Sequence, residues 1–283
     1  MILFSTILYV MGYIGNMSIN KKIVIVIILL ICIFVLFLLF NIYITLSLAS
    51  AIDTGNENKA EAYASLLISV DKKIYGMPFE SKGFLTPLTK ACYVHNKSIV
   101  SMLLMKGANP NYYSEYDLHP IAAAFILHDA NDLTKAVCIT NTIVSFGGKV
   151  NNLSSYGSPI NSLAQSLIHF NTDEEKDNAL SALKYLVSIG ASYHDTGIGY
   201  IAAAYDHIEI LKYLFEDIDY DLSMDSLSKK ALIIATSKSL YDVVQYLVSI
   251  DAMNINETDN NGYTALSIAK KNNDNKMIDI LIQ

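Results

Sequence analysis

The chain has 283 residues, 52% of them hydrophobic, and a formal net charge of −7. Every basic residue is a lysine, and 18 of the 20 lie in residues 51–283 with all 27 acidic residues, which leaves that part at −9. An acidic surface of this kind disfavours nucleic acid and anionic lipid, because affinity for both rests on neutralising phosphate.

Residues 1–16 (MILFSTILYVMGYIGN) are apolar but short for a membrane span. The next residues, Met17-Ser18-Ile19-Asn20-Lys21-Lys22, resemble the start of a bacterial signal anchor, so translation is expected to begin at Met17. Residues 23–50 carry no charge and are long enough, as a helix, to cross a bilayer. A helix satisfies its own backbone polar groups and is tolerated there. Lys21 and Lys22 precede the run, whereas Asp53, Glu57, Lys59 and Glu61 follow it. Basic flanks stay on the cytoplasmic side, which makes 1–22 the cytoplasmic N-terminus of a single-pass inner-membrane protein and places 51–283 outside. Two other readings stay open: cleavage at Ala49-Ser50-Ala51, although the run is far longer than a usual signal core, and an inverted topology with a cytoplasmic C-terminal part. Cys32 reads as membrane-buried.

Residues 51–82 are expected to hold a short tether, Asp53-Thr54-Gly55-Asn56, and a capping helix. Over 57–74, Tyr63, Leu66, Leu67, Val70 and Ile74 fall on one side of that helix.

From residue 83 the chain repeats itself. Thr86-Pro87-Leu88 returns as His119-Pro120-Ile121 and Ser158-Pro159-Ile160, then degraded near Gly199-Tyr200-Ile201 and Lys230-Ala231-Leu232, and finally as Thr264-Ala265-Leu266. Small residues follow each: Ala91, Ala122 to Ala124, Ala164, Ala202 to Ala204, Ala235 and Ala269. An apolar helical stretch comes next, and Gly107, Gly147 and Gly190 close the first three. Thr86 suits an N-cap, proline suits the first helical position, and glycine suits the left-handed stop. One such unit cannot bury its apolar face, but stacked units can.

This pattern resembles the ankyrin repeat, whose signature is Thr-Pro-Leu-His-x-Ala, a second helix of the Ile-Val-x-x-Leu-Leu type, and Gly-Ala-Asp. The resemblance covers residues 83–283 and implies an all-α solenoid of about six helix-turn-helix repeats, preceded here by one transmembrane helix. The array departs from the family pattern in extra residues around 128–132, a polar insertion at 171–177, and Asp217 and Asp251 in the glycine slots of units four and five. His119 stands in the usual threonine slot and is expected to cap a helix. His207 matches a structural histidine of the family. Cys92 and Cys138 read as buried small apolar residues, with pairing an open alternative in an oxidising compartment.

No catalytic or metal-ligating constellation stands out, so an enzyme is not expected and no cofactor is implied. The resemblance implies instead a protein partner met by the turns between units. Those turns carry Tyr112, Tyr113, Glu115, Tyr116, Tyr156, Tyr193, Asp195, Asp219, Tyr220 and Asp221. Tyrosine is rigid, large and polar at one tip, and carboxylates favour a basic partner. Some bacterial family members outside the inner membrane look like immunity proteins that block a secreted toxin such as a lipase, which is the sharpest expectation. A scaffold or helper for a resident envelope protein and a cytoplasm-facing adaptor are the alternatives.

Overall fold

The computed structural model describes residues 19–67, 69–71, 85–112, 118–127, 129, 131–151, 157–194, 196–218, 220–221, 226–251 and 253–282. The expected start at Met17 and residues 72–82 of the expected capping segment lie outside these. The described residues are helical, with isolated bridge residues at Leu85 and Gly157 in place of any extended strand.

The first helix, α1 (Ile19–Asp53), is unbroken for 35 residues. It does not end at residue 50, and no tether follows it. Thr54, Gly55 and Asn56 form a tight turn into α2 (Glu57–Leu66), which packs back against α1. Ala60 and Ala64 are the buried residues of α2, whereas Leu66 is exposed. Alanine there lets the two helices approach closely, a role the apolar count along 57–74 did not reveal.

Six further helical pairs follow. They are α3 (Pro87–Tyr93) with α4 (Lys97–Met105), α5 (Pro120–Ala124) with α6 (Asp132–Ser145), and α7 (Pro159–Ser166) with α8 (Asp173–Ser188). Then come α9 (Ile198–Ala204) with α10 (Ile208–Lys212), α11 (Ala231–Ser237) with α12 (Tyr241–Val248), and α13 (Ala265–Lys271) with α14 (Asn275–Leu281). First helices pack on first helices and second on second along the whole series, which makes a two-layer stack.

A shared backbone device makes the turns. Gly55, His95, Asp206, Ser239 and Asn273 all adopt a left-handed conformation, with φ between 54° and 64°. The next amide then donates back to an alanine carbonyl: Asn56 to Ala51 (2.9 Å), Asn96 to Ala91 (3.1 Å), His207 to Ala202 (2.9 Å), Leu240 to Ala235 (3.1 Å) and Asp274 to Ala269 (3.0 Å). This sets Ala51 in register with Ala91, and Leu48 with Leu88. The end of α1 is therefore the first helix of an additional unit, so seven pairs are stacked among the described residues where the sequence pattern indicates six.

The seam is visible in burial. From Ile23 to Phe40 the apolar side chains of α1 are largely exposed, whereas Ile44, Leu48, Ala49, Ala51 and Ile52 are buried in the common core. Lys90 reaches across from α3 to pair with Asp53 at 2.7 Å. Ala49 and Ala51, the candidate cleavage site, lie inside this packed helix.

The polar segment at 171–177 is helical from Asp173 onward. Thr172 and Glu175 form a reciprocal capping box, and Asp173, Glu174 and Glu175 occupy the first turn of α8. Carboxylates at a helix N-terminus oppose its dipole favourably, so the run extends the helix where the sequence reading has an inserted loop.

Leu48 is fully buried and Leu36 is 65% exposed, although both are leucines of one helix. Leu48→Ala is expected to destabilise the array by about 2–5 kcal/mol, with Leu36→Ala leaving it unchanged. Chemical unfolding in detergent, followed by circular dichroism, separates the two.

Candidate protein-binding surface

Each unit is joined to the next by a longer loop that leads from a second helix to the following first helix. The local chemistry of these loops is polar and mutual. Asn111 donates through Nδ2 to the Gly147 carbonyl (2.8 Å) and accepts from the Lys149 amide (2.7 Å). One unit on, Asn151 donates to the Gly190 carbonyl (2.6 Å) and accepts from the Ser192 amide (2.7 Å). Each asparagine stands four residues after a loop glycine and satisfies backbone groups of the next loop, which holds neighbouring loops at a fixed spacing. The shared spacing Gly107–Asn111 and Gly147–Asn151 is the signal of this contact in the sequence.

Of the residues expected to meet a partner, Tyr112, Tyr193, Tyr220 and Asp221 are described; Tyr113, Glu115, Tyr116, Tyr156, Asp195 and Asp219 lie outside the described residues. Tyr112 is half-buried in the loop between α4 and α5, and its amide donates to the Asn109 carbonyl (3.1 Å). Tyr193 is half-buried two loops further on, with its ring 4.6 Å from His194 and 5.9 Å from Tyr220. Asp221 is exposed.

Tyr220 departs from expectation. It is only 4% exposed, meets Phe215 edge-on at 5.9 Å, and sets its hydroxyl 3.4 Å from Ser228 Oγ. It fills the interior beneath Tyr193 and offers no surface to a partner. The cause is local: residues Tyr213–Asp217 form a π-helical turn, where the expected glycine stop is missing, and the Tyr220 amide bonds back to Leu214 (2.9 Å). The same neighbourhood explains the degraded fourth unit. With no Thr-Pro pair to start α9, Ser228 of the next unit accepts from the Tyr200 amide (3.1 Å). A Cβ at position 199 would sit 2.8 Å from that Ser228 oxygen, so glycine is required there.

Among the described residues, depressions lie at both ends of the helices. One, of about 350 Å³, lies along the first helices and is lined by Tyr200, Leu227, Ile233, Ile234, Asn260 and Ile268 among others. Another, of about 370 Å³, lies at the opposite end of the helices and is lined by Asp173, Asp177, Asp206, Glu209 and Asp242, with Lys176 bonded to Asp206 at 3.0 Å.

The titratable groups are structural in their settings. Cys92 is buried, and burial pushes its thiol far above the ordinary range; Cys138 is half-buried, and both are free cysteines. His119 caps α5, accepting the Ile121 amide on Nδ1 at 3.3 Å, and burial lowers its pKa to about 4. His207 donates through Nε2 to the Leu167 carbonyl (2.9 Å), and burial lowers its pKa also. Among the described residues no group of three or more His, Cys, Asp or Glu side chains is placed to hold a metal ion.

Comparison with known proteins agrees with this geometry. A family profile described as "Ankyrin repeats (3 copies)" matches residues 171–259 and 199–283, and one described as "Ankyrin repeat" matches residues 85–115. The chain is similar to the crystal structure of the human ASB11 ankyrin repeat domain, at 18% identity and a TM-score of 0.60, over 83% of this chain and 96% of that one. At that identity the likeness speaks for the fold. No curated protein matches the chain.

Because folding favours the neutral form of His119, the unfolded chain binds more protons between pH 4 and 6.5. Stability is then complete above pH 6.5 and falls as pH drops toward 4, by up to about 3 kcal/mol at this site. His119→Thr keeps a cap and removes the titration. Denaturant unfolding across this range is expected to show a shallower pH slope for the variant, with the slope from His207 remaining.

Proposed function

From the premise that the chain belongs to the ankyrin-repeat family, whose stacks are protein–protein interaction modules and typically not enzymes, we propose a membrane-tethered capture role. The array stands on the extracytoplasmic side and binds a basic protein partner. The observation that carries this reading is α1. Within the window of α1 that is long and apolar enough to cross a membrane nothing is buried, and the same helix ends inside the stack. A binding surface that grows out of such a helix is suited to intercepting proteins at an envelope membrane.

The sharpest form of the proposal is immunity: the array holds and neutralises a secreted toxin or effector, such as a lipase. The supporting points are the net charge of −9 on residues 51–283, which favours fast capture of a basic partner, and the exposed loops around Tyr112, Tyr193 and Asp221. Tyr113, Glu115, Tyr116, Tyr156, Asp195 and Asp219 belong to the same proposal by their positions in the sequence.

The test joins topology to partner. Full-length protein with a C-terminal tag is expressed, spheroplasts are treated with protease, and cross-linked material is identified. Digestion of residues 51–283 together with recovery of a secreted effector is the expected result. A protected array overturns the orientation, and a resident envelope protein as the sole partner replaces immunity with a helper role. With the partner in hand, Tyr112→Ala is expected to weaken binding about tenfold or more. Affinity is expected to fall as salt rises from about 50 to 300 mM, since charge attraction is screened. Isothermal titration at both salt concentrations checks both effects.

A further inference from the structure

The reading of α1 as a membrane span, on which this inference rests, also determines which edge of the array faces the bilayer. α1 is one helix from Ile19 to Asp53, so the direction of its membrane part is the direction of its packed part. The change of surroundings is abrupt. On the face of α1 that leads into the stack, Phe37 is 47% exposed, whereas Asn41, Ile44, Thr45 and Leu48 are buried. The crossover takes about one helical turn, or about 5.4 Å.

The register carries this boundary to the rest of the stack. Since Ala51 matches Ala91, residues 45 and 46 of α1 lie level with Leu85 and Thr86 at the entry to α3. The helices of each pair are antiparallel, being joined by a tight turn, and successive first helices pack side by side. All first helices therefore run in the direction of α1, away from the bilayer. The longer loops return the chain to the bilayer side at the start of each first helix. The left-handed turns at Gly55, His95, Asp206, Ser239 and Asn273 gather on the far side.

We infer that the array lies along the bilayer with its long-loop edge at the lipid headgroups and its short-turn edge in bulk water. The headgroup layer is roughly 5–7 Å deep on each side, which matches the one turn of clearance. Tyrosine is the residue type suited to that depth, and Tyr112, Tyr193 and the exposed Tyr263 stand at this edge. The depression lined by Asp173, Asp177, Asp206, Glu209 and Asp242 lies at the opposite edge, where bulk water solvates its charge. The anchor holds the array in place without electrostatic attraction to lipid. A partner reaching Tyr112 or Tyr193 travels along the membrane surface, whereas one arriving from bulk water meets the carboxylates first.

The experiment uses the full chain in phosphatidylcholine vesicles that carry a headgroup nitroxide quencher. In a Cys32→Ala, Cys138→Ala background the remaining Cys92 is buried and unreactive. Fluorophores are placed at exposed positions through Lys149→Cys and His194→Cys on the long-loop edge, and through Lys97→Cys and Glu174→Cys on the short-turn edge. Circular dichroism confirms that each labelled protein is folded. The expected result is quenching several-fold stronger at 149 and 194 than at 97 and 174. Equal quenching, or the reverse order, in protein that floats with the vesicles overturns the orientation and leaves the membrane span standing. Protein that fails to float overturns the span, and the orientation with it.

Discussion

Close approach of consecutive first helices is the constraint from which the rest of the molecule follows. A helix of five to eight residues cannot hold its shape alone, because the cost of nucleation outweighs the few hydrogen bonds it gains. These helices persist because alanine lines their contacts. Ala91, Ala122, Ala123, Ala164, Ala202, Ala203, Ala235, Ala265 and Ala269 are essentially inaccessible, and so is Ala60 in the second helix of the additional unit. Small side chains bring backbones together, and the larger Leu88, Ile99, Leu103, Ile121, Ile139 and Ile143 then fill the space between the two layers. Stability in such a stack comes from each interface in turn, so every unit needs a neighbour on each side or a cap.

At the N-terminal end that need is met in an unusual way. The cap is the closing stretch of a helix whose earlier part faces outward with Ile, Val, Leu and Phe. One element thus answers to two environments. Its exposed apolar stretch is long and apolar enough to cross a membrane, and its buried stretch completes the core of the stack. A flexible tether would let the array swing, whereas a shared helix fixes the direction of the exposed apolar stretch relative to every unit that follows.

Polar side chains do the finishing work. Thr86, Ser158 and Thr264 cap first helices through their hydroxyls, and His119 takes the same place with a ring nitrogen at the cost of pH sensitivity. His95 and His207 each donate to a carbonyl of another unit, Ala124 and Leu167 respectively. Asn111 and Asn151 do the equivalent between loops. Such bonds make neighbouring units conform to one spacing.

The amino-acid sequence by itself determined the repeat, the all-helical stack, the caps at Thr86 and His119, and the presence of an apolar run fit to cross a membrane. Each of these rests on local chemistry: proline and hydroxyl at a helix start, alanine three to five residues later, unbroken apolar composition. Tertiary structure decided what depends on partners distant in the chain. Ala51 and Leu48 look like any other residues of an apolar run until Asn56 closes its turn and α2 and α3 pack on them. Tyr220 looks like the other tyrosines of the turns until a π-helical turn rotates it inward against Phe215. Residues 171–177 look like a loop until Thr172 and Glu175 cap each other. In every case the residue type was legible while its face was not, because the side of a helix that becomes buried is chosen by the neighbour that arrives to cover it.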